Sequence, residues 1–282
     1  MCNYLIFYFL LIIYSLSIVN NPKMIFMDKI NIVLKRDDKK IMQRLKQNFA
    51  ISKKADLCLA IGGDGTFIKA ASMYSCPILP IRIIENGSIG YYSDLTTRDL
   101  DYIMKNIKND NFIVQNISNK IQATVNGSSY FAVNEIELKN ISLSVNFILS
   151  KRQGKKLERI YPYVISGDGM LVTTALGSTA YNRSAKGPII LAPNVLCITF
   201  LNIDGPYSNP IIVGTDEVIE GEITKYEGIL KYDGKKICTL RKGDKFQIKL
   251  SDKQILIARF KEKIEPFHSK LDRLIKGRLI NK

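Results

Sequence analysis

The chain carries a single histidine, His268, close to its C-terminal end. That count excludes any mechanism built on a histidine pair or a histidine-based triad, unless His268 itself folds back into a site. Acid–base chemistry here falls on carboxylates. Cysteine is also sparse: Cys2, Cys58, Cys76, Cys197 and Cys238 are widely spaced, mostly set in apolar runs, and form no CxxC pair. Zinc spacings and a disulfide framework are both poorly served by that pattern, which fits reduced thiols in a cytoplasmic protein. Negative charge is in short supply too, with 26 Asp and Glu against 41 Lys and Arg, a net +15. Such a surface attracts anions in general. The basic residues, however, are scattered beside acidic ones, as in "KRDDKK" and "FKEKIE", which is the pattern of a solvated surface. No helix-turn-helix, RNA-binding or zinc-finger pattern accompanies them, so no specific nucleic-acid partner is expected.

What is present is a globular composition, 46% hydrophobic and 24% charged over 282 residues, enough for one large domain or two ordinary ones. Residues 1–27 stand apart. Tyr4 to Val19 is almost wholly apolar but falls short of the roughly 20 residues that span a bilayer. It also lacks the basic start and small-residue cleavage site of a signal peptide. "MDKINIVLK", from Met27, reads as the start of a soluble domain, with Ile30, Ile32 and Leu34 at alternate positions. A start codon placed too far upstream is the preferred reading, ahead of a membrane anchor through residues 4–19 and of a cleaved segment.

From residue 28 to 110 strands alternate with helices. "KINIVL", "ADLCLAI" and "PILPIRI" are short apolar runs, as parallel strands covered on both faces require. Between them, Ile41, Leu45 and Phe49 lie four apart on one helical face, "TFIKAASMY" is helical, and "TTRDLDYIMKNIKND" sets Leu100, Ile103, Met104 and Ile107 on one face behind a threonine cap. That alternation predicts an α/β unit with a parallel sheet. From 111 to 261 the period falls to two, with hairpin signals at Asn126-Gly127 and in "YDGKK". The stretch after 262, "FHSKLDRLIKGRLI", returns to helical spacing and is expected to pack back on the first domain.

Three polar stretches interrupt this pattern. In "LCLAIGGDGTFI" a lone carboxylate, Asp64, sits between glycines just past a buried strand. It either caps a helix beginning near Thr66 or works on something held against the loop. In "AVNEIELKN", Asn134 and Glu135 break an apolar alternation, so one of them faces a core or a cleft unless a bulge or strand end intervenes. "SGDGMLVTTALGSTAYNRSAKGPII" repeats the glycine–aspartate device, then runs through Gly177-Ser178-Thr179 into a helical "AYNRSA". Hydroxyls and free N–H groups there suit an anionic or hydroxyl-rich ligand, or simply a capped helix.

Together the three stretches resemble the motifs of the NAD kinase family: "GGDGT", then "NE", then "GDG…TT…GSTAYN…GP", in order, over nearly all of residues 29–282. The first is shared with diacylglycerol, sphingosine and phosphofructokinase families; the last is the specific one. The resemblance implies a Rossmann-like α/β domain, a β-sandwich domain and a C-terminal helix rejoining the first. It implies transfer of the γ-phosphoryl of ATP, or of another triphosphate or polyphosphate, to the 2′-hydroxyl of the adenosine ribose of NAD, with Mg²⁺ carried on the phosphates and no protein ligand assigned to it. Asp64 is then the general base, with Gly63, Gly65 and Thr66 forming the loop around it. Asn134 and Glu135 match ribose and nucleotide contacts, Asp168 one near the nicotinamide end, Thr179, Ala180 and Tyr181 a wall for the dinucleotide, and Asp233 a further acidic contact. The family also implies a homodimer or homotetramer. The chain departs from it at Thr174-Ala175-Leu176, where a hydroxyl is replaced by leucine, and at "LPIRIIENGSIGYYSD", where Arg82 and Glu85 take no assigned role. Two other readings stay open: a lipid or sugar kinase sharing only the first loop, and a catalytically silent NAD-binding protein.

Overall fold

The computed structural model describes residues 29–83, 90–193, 195–205 and 209–266, with 268–270, 272, 273 and 276 beyond them. The apolar extension at 1–27, and Glu85 with Gly87, lie outside the described residues. The chain divides into two units. One takes the residues up to Asn116 and from Ile255 onward, the other Ile117–Gln254.

The first unit is α/β. Strand β1 (Lys29–Leu34) leads through helix α1 (Lys39–Asn48) to β2 (Ala50–Ile51). Strand β3 (Cys58–Ile61) leads through α2 (Asp64–Met73) to β4 (Ile78–Arg82), then β5 (Leu95–Thr96) and α3 (Leu100–Lys108). Pairing is parallel throughout, in the order β2–β1–β3–β4, with Leu95 and Thr96 of β5 beside Ile81 and Arg82. The connection from β1 runs one way along the sheet and that from β3 the other. Right-handed crossovers then put α1 and α2 on opposite faces. Accordingly Ile41 and Leu45 of α1 share a core with Leu59, Ile61, Leu79 and Ile81 and with Leu100, Ile103, Met104 and Ile107 of α3. Phe67, Ala70 and Ala71, the buried side of α2, stand outside that cluster. The carboxyl end of β3, where "GGDGT" begins, is therefore at a topological switch point, where open α/β sheets take their ligands.

Helix α3 differs slightly from the sequence reading. The Thr96 N–H and hydroxyl donate to Asp99 (2.9 and 2.8 Å), closing a 3₁₀ turn over Thr97–Asp99 before the α-helix proper.

The second unit is a β-sandwich. One sheet pairs β16 (Lys235–Leu240), β15 (Gly228–Tyr232), β8 (Glu135–Asn140), β11 (Ile165–Thr173), β12 (Val195–Ile203) and β13 (Ile211–Gly214), each antiparallel to the next. The other pairs β10 (Lys156–Arg159), β9 (Val145–Gln153), β14 (Val218–Lys225) and the first part of β17 (Lys245–Arg259), whose residues from Ile255 belong to the first unit and pair Ile257 with Ile78 of β4. Alternate side chains such as Ile136, Leu138, Met170 and Val172 meet Phe147, Leu149, Ile219 and Phe246 in one core. The hairpin of β6 (Ile113–Val125) and β7 (Ser128–Ala132) turns at Asn126 and Gly127, both at positive φ as that turn demands. Asp233 and Gly234 do the same between β15 and β16.

Sequence spacing suggests separate strands on either side of "GDG"; the structure runs β11 straight through it. Gly167 and Gly169 make that possible. A Cβ on Gly169, at φ +134°, would lie 1.9 Å from the Leu138 carbonyl, and one on Gly167 would lie 2.5 Å from that of Asn202. The glycines admit close strand approach where β11 exchanges one partner, β9, for another, β8.

Candidate active site

Asp64 is the first residue of α2, not its cap. Gly63 occupies the N-cap with no side-chain bond, so the capping alternative is overturned. Thr66 and Phe67 N–H groups bond the Gly63 carbonyl directly, which leaves the Asp64 carboxylate free to point elsewhere. Gly62 is crowded: a Cβ there would strike the buried Thr66 hydroxyl at 2.1 Å and Lys35 at 2.9 Å. Gly65 has open space around it, with no heavy atom within 4 Å of where its Cβ would sit.

The Asp64 carboxylate accepts the Tyr92 N–H at 3.2 Å. Burial pushes it above the ordinary carboxylate range, while the Tyr91 and Tyr92 amides and then the charges of Arg273 and Lys270 pull it back. The tyrosine pair is itself anchored, with the Tyr92 ring stacked on Phe67 at 4.5 Å. Arg273 donates to the carbonyls of Gly90 (2.8 Å) and Ser93 (3.0 Å) and to Glu265 (2.5 Å). Lys270 pairs with buried Asp94 at 2.5 Å, and Asp94 also accepts the Glu265 N–H at 3.1 Å. Thus the described residues of 268–276, which are helical, fasten the 90–94 segment behind Asp64. Sequence reasoning found the helix and missed its role, because nothing local in "KLDR" announces a bond to a carbonyl 183 residues away.

In the second unit "NE" is bonded to the two threonines that precede "GSTAYN". Asn134 and Glu135 sit at the break between β7 and β8. The Asn134 carbonyl accepts the Thr174 N–H and the Thr173 hydroxyl, both at 3.0 Å, and the Thr174 hydroxyl donates to the Val133 carbonyl at 2.9 Å. Gly177 packs so closely that a Cβ would lie 2.2 Å from the Asn134 oxygen. From the other side Asp233, at φ +44°, accepts the N–H groups of Val133 (2.7 Å), Asn134 (2.8 Å) and Glu135 (3.3 Å). Its two oxygens are engaged by backbone, so within the unit Asp233 acts as a clamp on "VNE". With the backbone held this way, the side chains are left over: Asn134 Oδ1 and Glu135 Oε2 are buried without a hydrogen-bond partner among the described residues. Burial, then the charges of Asp233 and Glu137, push the Glu135 carboxyl up to about 8.

Thr179 and Ala180 lie in the turn that follows. Thr179 is buried with its hydroxyl 3.5 Å from the Leu176 carbonyl, and the Ala180 N–H bonds Gly177. Tyr181 opens a one-turn helix, α4 (Tyr181–Ser184), with its ring partly exposed. Burial raises its phenol, and so do Glu137, Asp168 and Glu135, whose charges it feels. Asp168 projects from β11 between two amides, accepting from Asn140 at 3.0 Å and Asn202 at 2.8 Å. Asn182 was not foreseen. Fully buried, it accepts the Thr199 hydroxyl at 2.6 Å and donates to the Pro188 carbonyl at 2.9 Å, pinning the "AYN" turn to the sheet. Leu176 is buried. His268 is exposed.

Comparison with known proteins agrees across both units. Residues 26–112 match the ATP-NAD kinase N-terminal domain and residues 150–260 the ATP-NAD kinase C-terminal domain. The NAD kinase of Caldicellulosiruptor saccharolyticus is 26% identical over 240 residues, spanning 84% of this chain and 89% of that protein. The crystal structure of an NAD kinase from Archaeoglobus fulgidus in complex with ATP has a TM-score of 0.69 at 19% identity, covering 88% of this chain and 98% of that one. That of yeast NADH kinase complexed with NADH has a TM-score of 0.72 at 16% identity, covering 90% and 88%.

Proposed function

This chain belongs to the NAD kinase family, and from that premise we propose how its own residues phosphorylate NAD to NADP. The observation that carries the reading is the pair of buried oxygens, Asn134 Oδ1 and Glu135 Oε2, left without a partner among the described residues. Native proteins rarely leave buried polar atoms unsatisfied, and a ribose diol supplies two adjacent hydroxyls that both donate and accept. Asn134 and a protonated Glu135 would hold the adenosine ribose, with Tyr181, Thr179 and Ala180 as the wall beside it. Asp168, already fixed by two amides, keeps lone pairs for the far end of the dinucleotide.

Asp64 is the base in this reading. A ribose hydroxyl is a weak nucleophile, and a carboxylate within reach accepts its proton as it attacks the γ-phosphorus. The phosphorus–oxygen bond to the leaving nucleoside diphosphate breaks as the new bond forms, and the departing oxygen takes that electron pair. Burial makes Asp64 more basic than a solvated carboxylate, while the two tyrosine amides orient it. Mg²⁺ takes hard oxygen donors such as those of a triphosphate. Carried on the triphosphate, that ion would neutralise charge on the transferring group.

ATP is the donor we favour, with polyphosphate as the other arm of the test. The assignment to the cytoplasm rests on the free thiols of Cys58, Cys76, Cys197 and Cys238, and no helix among the described residues is long and apolar enough to cross a membrane. A homo-oligomer is part of the same family reading. The test supplies the full chain with NAD, Mg²⁺ and either ATP or polyphosphate and measures NADP. Diacylglycerol in place of NAD should give no product. NAD binding without turnover with either donor would sink the catalytic reading.

A further inference from the structure

The C-terminal segment reaches Asp64 through one peptide bond. Arg273 Nη2 donates to the carbonyl of Gly90 at 2.8 Å and to that of Ser93 at 3.0 Å, while Nη1 is held by Glu265 at 2.5 Å. The Gly90 carbonyl belongs to the same peptide unit as the Tyr91 N–H. In a planar trans peptide the two point in opposite directions. A guanidinium that holds the carbonyl therefore turns the Tyr91 N–H the other way, and on that side lies the Asp64 carboxylate, which accepts from Tyr91 and, at 3.2 Å, from Tyr92. Gly90 stands at φ +47°, the left-handed conformation this turn requires. The fork's second bond, to Ser93, closes the turn over the two tyrosines. The anchor of the fork is itself locked. Glu265 gives its N–H to Asp94, and Asp94 is paired with Lys270 and Arg259.

We propose that Arg273 is a positioning residue for Asp64, acting through the Gly90–Tyr91 peptide to aim two N–H groups at the carboxylate. The inference rests on Asp64 being the base only for its effect on rate; the geometric part stands without it. Arginine is suited to this as lysine is not, because the planar fork satisfies two carbonyls and a carboxylate at once. The charged groups around Asp64 are Arg273 and Lys270; behind them stand Asp94, Arg259, Glu265 and Arg82. Removing the Arg273 charge and loosening the amides both disfavour the ionised carboxylate.

The test titrates the Asp64 carboxyl carbon by ¹³C NMR in the full chain, assigned by its loss in Asp64→Asn, alongside the pH profile of kcat/KM. In Arg273→Gln the Asp64 titration should move to higher pH, with the acid limb of kcat/KM following it. In the same variant kcat should fall by up to about 10²-fold, with the KM for NAD nearly unchanged. If the titration moves and the acid limb stays, the positioning role holds and the base assignment falls. If the titration does not move, the inference is overturned whatever the limb does. Should Arg273→Gln fail to fold, Arg273→Lys keeps the charge and loses the fork. Its kcat should still drop, and wild-type values for both kcat and the titration would overturn the inference.

Discussion

Asp64, half-buried, and Glu135, buried, are both carboxyl groups raised by burial, but their neighbours differ. Around Asp64 stand two backbone N–H donors and two cations, all opposing the rise. Around Glu135 stand two more acids, Asp233 and Glu137, which add to it and carry it to about 8. One set of neighbours opposes the effect of burial; the other reinforces it. In the proposed mechanism the first carboxyl serves as the base and the second as a hydrogen-bond donor, with no histidine needed. Burial alone predicts neither role.

The comparison breaks most sharply at Asp64. Asp64→Asn keeps shape and removes the base, so kcat should fall about 10²–10⁴-fold. Because Gly63 holds the cap position, the thermal midpoint should hardly move. A mutant that melts early and turns over normally would end the assignment.

Next comes the clamp. Asp233→Ala strands three N–H groups of Val133, Asn134 and Glu135, which should cost about 3–5 kcal/mol by urea unfolding and weaken NAD binding along with it. Unchanged stability would show that water replaces the carboxylate there.

Glu135 tests the other half through pH. Its folded value lies above its unfolded one, so the folded state holds a proton that the unfolded state has lost between about pH 4.5 and 8. Stability of the unliganded protein therefore falls across that window and levels off above it. Glu135→Gln removes the loss, so its advantage should be absent near pH 4 and reach about 2–4 kcal/mol by pH 9. A constant difference across that range would place the titration elsewhere.

The smallest effect concerns Leu176. Leu176→Thr restores the hydroxyl that the family carries and should tighten NAD binding by about 0.5–1.5 kcal/mol in calorimetry. Unchanged affinity with a lowered melting midpoint would show the pocket packed around leucine.

Much of the framework could be read from the chain. The apolar spacing of Ile41, Leu45, Leu100 and Ile107 marks helices, and Asn126-Gly127 marks a hairpin, because period and turn chemistry are local properties. The run through "GDG" was harder: two glycines read as a loop, although they serve close strand packing, and only the neighbouring strands reveal which. Asp64 stood out as a lone carboxylate between glycines, and Asn134 and Glu135 as polar residues in an apolar alternation. What each does could not be read, since a carboxyl's basicity is set by whatever folds around it. Asp233 meets "VNE" from about a hundred positions away in the chain, and Arg273 meets Gly90 across 183. Residue type and spacing are local and survive in a string of letters. Desolvation, the direction of a peptide N–H and the sign of the nearest charge exist only once distant segments have packed together.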